Sequence, residues 1–406
     1  MAKRIAIPSK EVELVLVGST DSFKASRVQR ASLGTDIPTT VVDELGNSEH
    51  VGNTKDIPNV TLAFSAFDVG VKIFSALTGT DAAAYPGAGV DISELGEIDG
   101  IILVKDADSA VYAKSAHAHR LQIRDFTFNY SVDGESTEDY TAIGSVRRWL
   151  KYDVVVDKLL IPGTTGTLTQ IPVQLANGDY VLSVIADNAT SGGKGVYLTE
   201  HAWDDGSAIA TDEYKLSGGT FQTITLGTAY VTQCIVVYHS DADGAWTDVS
   251  DTVSAVAIRG KDVGVKILGN DIDRVQSVSI NGNLNTQPVK EMGNKSIVGY
   301  QKQVPTVEGT LTVLDTDTEL IELLTYGVVA SGVEWQPGEG CTTTDLSLTI
   351  ELYDPCDVTP EYDVLKTIYL PDIVIVGDSY TANINNNAQQ VFNFRSDDGC
   401  LIVYSG

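Results

Sequence analysis

His117 and His119 are the one pair among the five histidines that stand close together in the chain. On a β-strand, residues two apart share a face, so the pair could offer two imidazoles to one metal ion. No acidic or thiol partner stands at a matching spacing, and a packing or solvated role outweighs the metal reading. Lys194 in SGGKG lacks the spacing of a phosphate loop and the Ser or Thr that should follow it, so a hairpin turn is expected there. Asp241 and Asp243 in SDADGAW could bind calcium, but the run stops short of a full loop and reads as a plain turn. Cys234, Cys341, Cys356 and Cys400 are too scattered for a disulfide scaffold or a zinc ribbon. Cys341 and Cys356 share one loop-like stretch and could pair; unpaired, mostly buried thiols are the plainer reading. Acidic residues are so abundant that some pair will always resemble a general acid and base, which empties that signal of information. No catalytic residue, cofactor or metal is assigned, and a large, motif-poor β chain is expected to be a building material and not an enzyme.

The elements that carry these residues show a duplication. RVQRASLGTDIPTTVVDELGNSEHVGNTKDIPNVTLAFSAFD begins at Arg27, and RVQSVSINGNLNTQPVKEMGNKSIVGYQKQVPTVEGTLTVLD begins at Arg274, 247 residues later. About fifteen of the forty-two positions are identical without a gap, among them Gln29 and Gln276, Glu44 and Glu291, Gly46 and Gly293, Pro58 and Pro305. EVELVLVG from Glu11 resembles DVGVKILG from Asp262, and SVDGESTEDY from Ser131 resembles NINNNAQQVF from Asn383. A period this long with two copies argues against a solenoid.

Short alternating runs such as VELVLV, RVQSVSI and QVFNFRS, with turn formers between them, predict antiparallel β-sheet. One amphipathic helix is expected per copy. In the second, Thr316 and Glu319 have capping-box spacing, Leu320, Leu323 and Leu324 form a stripe, and Gly327 supplies the stop. In the first, Ile73, Phe74 and Leu77 before Gly79 form a weaker counterpart. Residues 152–251 have no counterpart in either copy and read as an inserted β-sandwich projecting outward. The expected architecture is thus mostly β: a first module over 1–151, the insert over 152–251, and a second module over 252–406.

Acidic residues outnumber basic ones 55 to 27, a net charge of −28, so the chain will not wrap DNA by neutralising phosphates. Solubility, cation tolerance or repulsion of another anion remain. No apolar run approaches a membrane span, and MAKRIAIPSK lacks the apolar core of a secretion signal, so the expected route does not cross a membrane.

The repeated block, R-V-Q-S-V-S-I, a polar loop with E-M-G-N, V-G-Y, Pro and V-E-G-T-L-T-V, resembles the tail tube (major tail) proteins of long-tailed bacteriophages. IRGKDVGVKI from Ile258 and DSYTANINNNAQQVFNF from Asp378 extend the likeness over nearly all of the second copy; the first departs more, with Leu62 and Ala63 where the second has Gly309 and Thr310. The resemblance implies tail-tube-type sandwich or barrel modules assembled as stacked rings into a hollow tube through which genomic DNA passes without specific binding, in the virion tail. With two modules per chain, a homotrimeric pseudo-hexameric ring is implied. Tape-measure, tail terminator and tip proteins become implied partners, alongside further copies of the chain. The loops Thr35 to Ser48 and Gly282 to Lys295 would reach the neighbouring ring, which makes Asp36, Asp43, Glu44, Asn47, Asn283, Lys290, Glu291 and Asn294 interface candidates. Arg27 and Arg274 are candidates for pairing across subunits, with a surface strand position equally open. About four strands per module would make a barrel of about twenty-four strands, about 48 Å across at the backbone, with an acidic wall repelling DNA. A surface-layer protein or adhesin is the rival reading, and a carbohydrate-active enzyme the third.

Overall fold

The computed structural model describes residues 12–17, 22–25, 27–43, 45, 50–67, 71, 73–74, 78, 82–105, 112–151, 258–292, 297–314, 346–356, 363–382, 384 and 387–406, together with the strands named below between 154 and 240. The first stretch contains β1 (Val12–Val17), β2 (Ser22–Lys24), β3 (Val28–Asp36), β4 (Thr39–Val42), β5 (Gly52–Lys55), β6 (Asn59–Ala66), β7 (Val90–Asp91), β8 (Glu97–Lys105), β9 (Tyr112–Ser131), β10 (Thr137–Gly144) and β11 (Val146–Lys151). Then come β12 (Val154–Leu160), β13 (Gln170–Val173), β14 (Tyr180–Asp187), β15 (Tyr197–Glu200), β16 (Tyr214–Lys215), β17 (Gln222–Thr225) and β18 (Cys234–Ser240). The last stretch contains β19 (Val263–Ile267), β20 (Asn270–Asp271), β21 (Val275–Asn283), β22 (Gln287–Val289), β23 (Gly299–Gln301), β24 (Thr306–Leu314), β25 (Leu346–Tyr353), β26 (Val364–Thr381), β27 (Gln389–Ser396) and β28 (Ile402–Ser405).

The chain divides into two compact units, neither continuous in sequence. One comprises residues 1–24, 100–117 and 147–250. Within it β1 pairs antiparallel with β2, and the stretch expected to be an insert forms two small antiparallel sheets, β12-β18-β14-β16 and β13-β17-β15. The turns expected at Lys194 and at Asp241 and Asp243 lie outside the described residues.

The other unit comprises residues 25–99, 118–146 and 251–406. Its frame is an antiparallel run of eight strands, β3-β6-β10-β9-β21-β24-β27-β26. The first half of β26 leaves this run and pairs with β25 and β28, and β25 carries β19. The alternation read from the sequence is realised strand by strand, as the burial along β6, β10 and β24 alternates residue by residue. One face is the core: Phe64, Tyr140, Phe128, Val278, Ile280, Leu311, Phe392 and Phe394 are buried there. Phe64 stacks on Tyr140 at 5.1 Å and Phe126 lies 5.0 Å from Phe128, contacts that add about 0.5–1.5 kcal/mol each beyond their buried area.

The two repeats pair in one register. Val28 faces Ala66 and Arg30 faces Ser65; Val275 faces Val313 and Ser277 faces Thr312, with the same irregularity after the first pair. Between β10 and β9 the register shifts after Thr141, and between β27 and β26 it shifts at Asn393, 252 residues later. Bulges mark places where a strand must bend, so a shared bulge position is a stronger likeness than shared strand content.

Of the expected helices, Ile73, Phe74 and Thr78 have helical backbone, and the Thr78 hydroxyl donates to the Phe74 carbonyl at 2.9 Å. The rest of that stretch, and the whole of 316–327, lie outside the described residues. Cys356 is a free and exposed thiol, not a buried one, Cys400 is free and half-buried, and Cys341 is outside the described residues. Burial, with Asp91 and Asp398 nearby, pushes the Cys400 thiol up to about 12.

Candidate functional site

The surface with the most to explain is the seam where the second repeat joins the first. Seven residue pairs connect β9 to β21, from Ser131 opposite Ser277 to Asp125 opposite Asn283. Thr127 donates to Asn281 Oδ1 at 2.9 Å and Ser279 donates to Asn129 Oδ1 at 2.7 Å, so side chains as well as backbone cross it. Gly282 lies beneath the Phe126 ring, where a Cβ would come within 2.0 Å of the ring. A side chain there would lift the strands apart.

The seam continues past the strand ends. The Leu284 N–H donates to the Arg124 carbonyl at 2.8 Å, and the Tyr300 hydroxyl on β23 is shared between the carbonyls of Arg120 at 2.8 Å and Ile143 at 3.0 Å. Arg120 forks onto Glu97 at 2.7 and 2.9 Å and donates to the Val298 carbonyl at 3.1 Å. Burial, then the nearby Glu97 carboxylate, raises the Tyr300 phenol well above its ordinary range, so it acts as a permanent donor. The Ile297 N–H donates to Ser145 Oγ at 2.9 Å.

Residues at corresponding positions elsewhere in the unit meet solvent. β3 corresponds to β21, and β6 is its one strand partner among the described strands; the end of β26 corresponds to the end of β9, and β27 is its one strand partner there. Leu284 is 5% exposed while Ile37, 247 residues earlier, is 46% exposed. Phe128 is fully buried while Tyr380, 252 residues later, is 57% exposed. Val374 and Val376 add apolar exposure along the β26 edge. Scattered exposed apolar residues need no explanation, but runs of them along sheet edges mark contact surfaces.

The predicted site residues of the two loops fall into three groups. Asp36 and Asn283 end β3 and β21 and are exposed, the latter with its Oδ1 accepting the Asn285 N–H at 2.7 Å. Asp43, Lys290 and Glu291 lie on the β4–β5 and β22–β23 hairpins and are exposed. Asp43 meets His50 Nδ1 at 2.5 Å, and Lys290 meets Asp56 of the same chain at 3.3 Å. Glu44, Asn47 and Asn294 lie outside the described residues. At the hairpin tips Leu45 and Met292, in corresponding positions, are completely exposed.

Arg27 and Arg274 have a local account. Both have positive φ, 51° and 62°, and in both repeats the Gln two residues on donates its amide to the Arg carbonyl, at 3.1 and 3.3 Å. The same carbonyls accept the N–H of Phe67 and of Leu314. The shared R-V-Q is therefore a strand-entry turn, bracketed by glutamine because a left-handed non-glycine residue needs support.

Sequence reasoning missed the acid beside the histidines. Asp99, buried, meets His119 Nδ1 at 2.7 Å with one oxygen and accepts the Arg120 N–H with the other. It stands twenty residues before His119, beyond any local spacing rule. His117, also buried, is the last residue of the other unit.

The face of the eight-strand run opposite the core is polar and electrically mixed. Arg30, Ser65, Asp139, Thr127, Asn281, Glu308 and Arg395 stand in one row across seven neighbouring strands, two cations against two anions. No protein-family model matches the chain, and no curated protein matches it. Among the described residues no helix is long and apolar enough to cross a membrane, which says nothing about strands.

Proposed function

We propose that the chain is a structural subunit of a hollow tube, a phage tail tube protein whose two tandem modules close head to tail with those of two further chains into a pseudo-hexameric ring. The observation that carries this is the seam: one repeat already binds the next through β9 and β21, while the corresponding strands at the two ends of the run are exposed, with Ile37 and Tyr380 open where Leu284 and Phe128 are buried. A heterologous contact of this kind repeats until the rotation closes, giving a ring. Three copies of an eight-strand run give twenty-four strands, a barrel about 48 Å across at the backbone.

Carried over to the contact between chains, the offsets between repeats give its register in this reading. Thr381 of one chain falls opposite Ser32 of the next, Ser379 opposite Gly34, and Gly377 opposite Asp36. The Ile37 N–H would reach the Val376 carbonyl, as the Leu284 N–H reaches that of Arg124. In this reading each module keeps one helix and a sandwich or barrel form, residues 152–251 decorate the outside, and Leu45 and Met292 at the hairpin tips face the adjoining ring. With the polar face inward, DNA would meet hydroxyls, amides and opposed charges, so it would be repelled less than the net charge of −28 suggests. Tape-measure, terminator and tip proteins would be the other partners.

Negative-stain electron microscopy of the purified chain tests the proposal. End-on views should be hollow, with three-fold or pseudo-six-fold symmetry, and side views should show stacked rings. Dispersed monomers across salt and concentration would overturn it.

A further inference from the structure

In the core of the second unit lies an ion pair with no access to water. Lys366 on β26 and Glu138 on β10 are both 0% exposed, and Nζ stands 2.5 Å from Oε1. The ammonium lies 4.9 Å from the centre of the Phe74 ring and 5.0 Å from that of Phe128. The Tyr140 hydroxyl donates to Oε2 at 2.5 Å and the Tyr130 hydroxyl donates to Oε1 at 3.3 Å. One amine, one carboxyl group and two phenols are thus enclosed by aromatic rings.

The repeats do not share this arrangement. Gln390 stands where Glu138 would correspond, and Lys114, corresponding to Lys366, is exposed with its ammonium 4.9 Å from the Trp149 ring. A buried charge pair is a poor way to stabilise a core, since apolar residues of the same volume serve as well or better. A pair that joins the two repeats, with no match at the corresponding positions, therefore calls for a use other than packing.

We propose that Lys366 and Glu138 condense to a covalent amide, a cross-link the chain forms by itself. A proton passes from Nζ to the carboxylate across their hydrogen bond, leaving an amine and a carboxylic acid. The Nζ lone pair attacks Cδ, and Oε2 takes up negative charge where the Tyr140 phenol already donates to it, as an oxyanion donor should. Nζ then releases a second proton to Oε1, which departs as water. One N–C bond forms and one C–O bond breaks, with no oxidant or reductant. The fold holds the reacting groups in contact, which replaces a collision in solution by a step within one cavity. The dry surroundings remove the hydration that makes separate ammonium and carboxylate the favoured state in water. The product would tie strands 228 residues apart, one from each repeat.

The test needs the full chain and no assembly. After unfolding in denaturant, its intact mass should be lower than the sequence mass by one water, and a proteolytic digest should yield one branched peptide joining Lys366 to Glu138. Lys366→Met should restore the full mass and lower the melting temperature. An intact wild-type mass with separate Lys366 and Glu138 peptides overturns the proposal. So does a water loss that persists in Lys366→Met.

Discussion

The seam between β9 and β21 and the outer edges formed by β3 and the end of β26 use corresponding residues in opposite circumstances. Phe128 is enclosed where Tyr380 is exposed, and Leu284 is enclosed where Ile37 is exposed. The change from Phe to Tyr fits the difference, because an aromatic ring that spends part of its life in water benefits from a hydroxyl. Gly282 beneath Phe126 corresponds to Thr35, and Phe126 itself to Asp378. The intrachain seam is packed as a core, while its counterpart carries exposed polar residues such as Thr35 and Asp378.

The comparison breaks most visibly at its aromatic pair. Phe128→Ala should cost the folded monomer about 3–5 kcal/mol, because it empties a filled core site. Tyr380→Ala combined with Val376→Lys should leave monomer stability within about 0.5 kcal/mol and abolish rings, since a surface change costs little until the surface is used. Denaturant melts and end-on micrographs of both variants check this. Equal destabilisation of the monomer by both would remove the distinction between seam and edge. Gly282→Val should come next, at about 1–3 kcal/mol, from a side chain forced into the Phe126 ring. Thr35→Val, at the corresponding outer position, should not alter the monomer melt.

A smaller effect reads the register itself. Ser32→Cys in one chain and Thr381→Cys in the next should form a disulfide between chains in assembled material, while Ser279→Cys with Asn129→Cys should form one within a single chain. Non-reducing gels separate the two outcomes. Cross-strand cysteines bridge only when their Cβ atoms are directly opposed, so a bond between chains by Ser32→Cys with Gly377→Cys in place of Thr381→Cys would refute the proposed register.

The sequence carried the local rules of this architecture. Alternation located β21 and β27, because side chains on a half-buried sheet must alternate. The likeness of Ser131–Tyr140 to Asn383–Phe392 anticipated the 252-residue correspondence of β10 with β27. What stayed hidden depends on partners distant in the chain. Nothing near Asp99 announces His119, and nothing near Glu138 announces Lys366, because each pairing is decided by how strands stack. From the sequence, Arg27 and Arg274 fit a pairing across subunits and a surface strand position equally well. Their positive φ is a backbone property, and the Gln two residues on was the readable sign of it.

The smallest expected effect concerns the hairpins. Lys290 meets Asp56, whereas the corresponding positions in the other repeats hold Asp43 and Gln303, which cannot form that pair. The Asp56 carboxyl is held below its ordinary range first by the Ile57 N–H and then by Lys290. A carboxyl with a depressed folded value lends stability that is complete above the unfolded value of about 3.9 and is lost as pH falls through the folded value. The contribution is therefore constant at neutral pH and vanishes only in acid. Both groups are solvated, so salt screens their attraction. Lys290→Asp, which writes the first repeat's residue into the second, should lower the melting temperature slightly at neutral pH and low salt. It should make no difference below the carboxylate range. A difference that grows in acid would mean that Lys290 acts through some group other than Asp56, and that the hairpins are held together in another way.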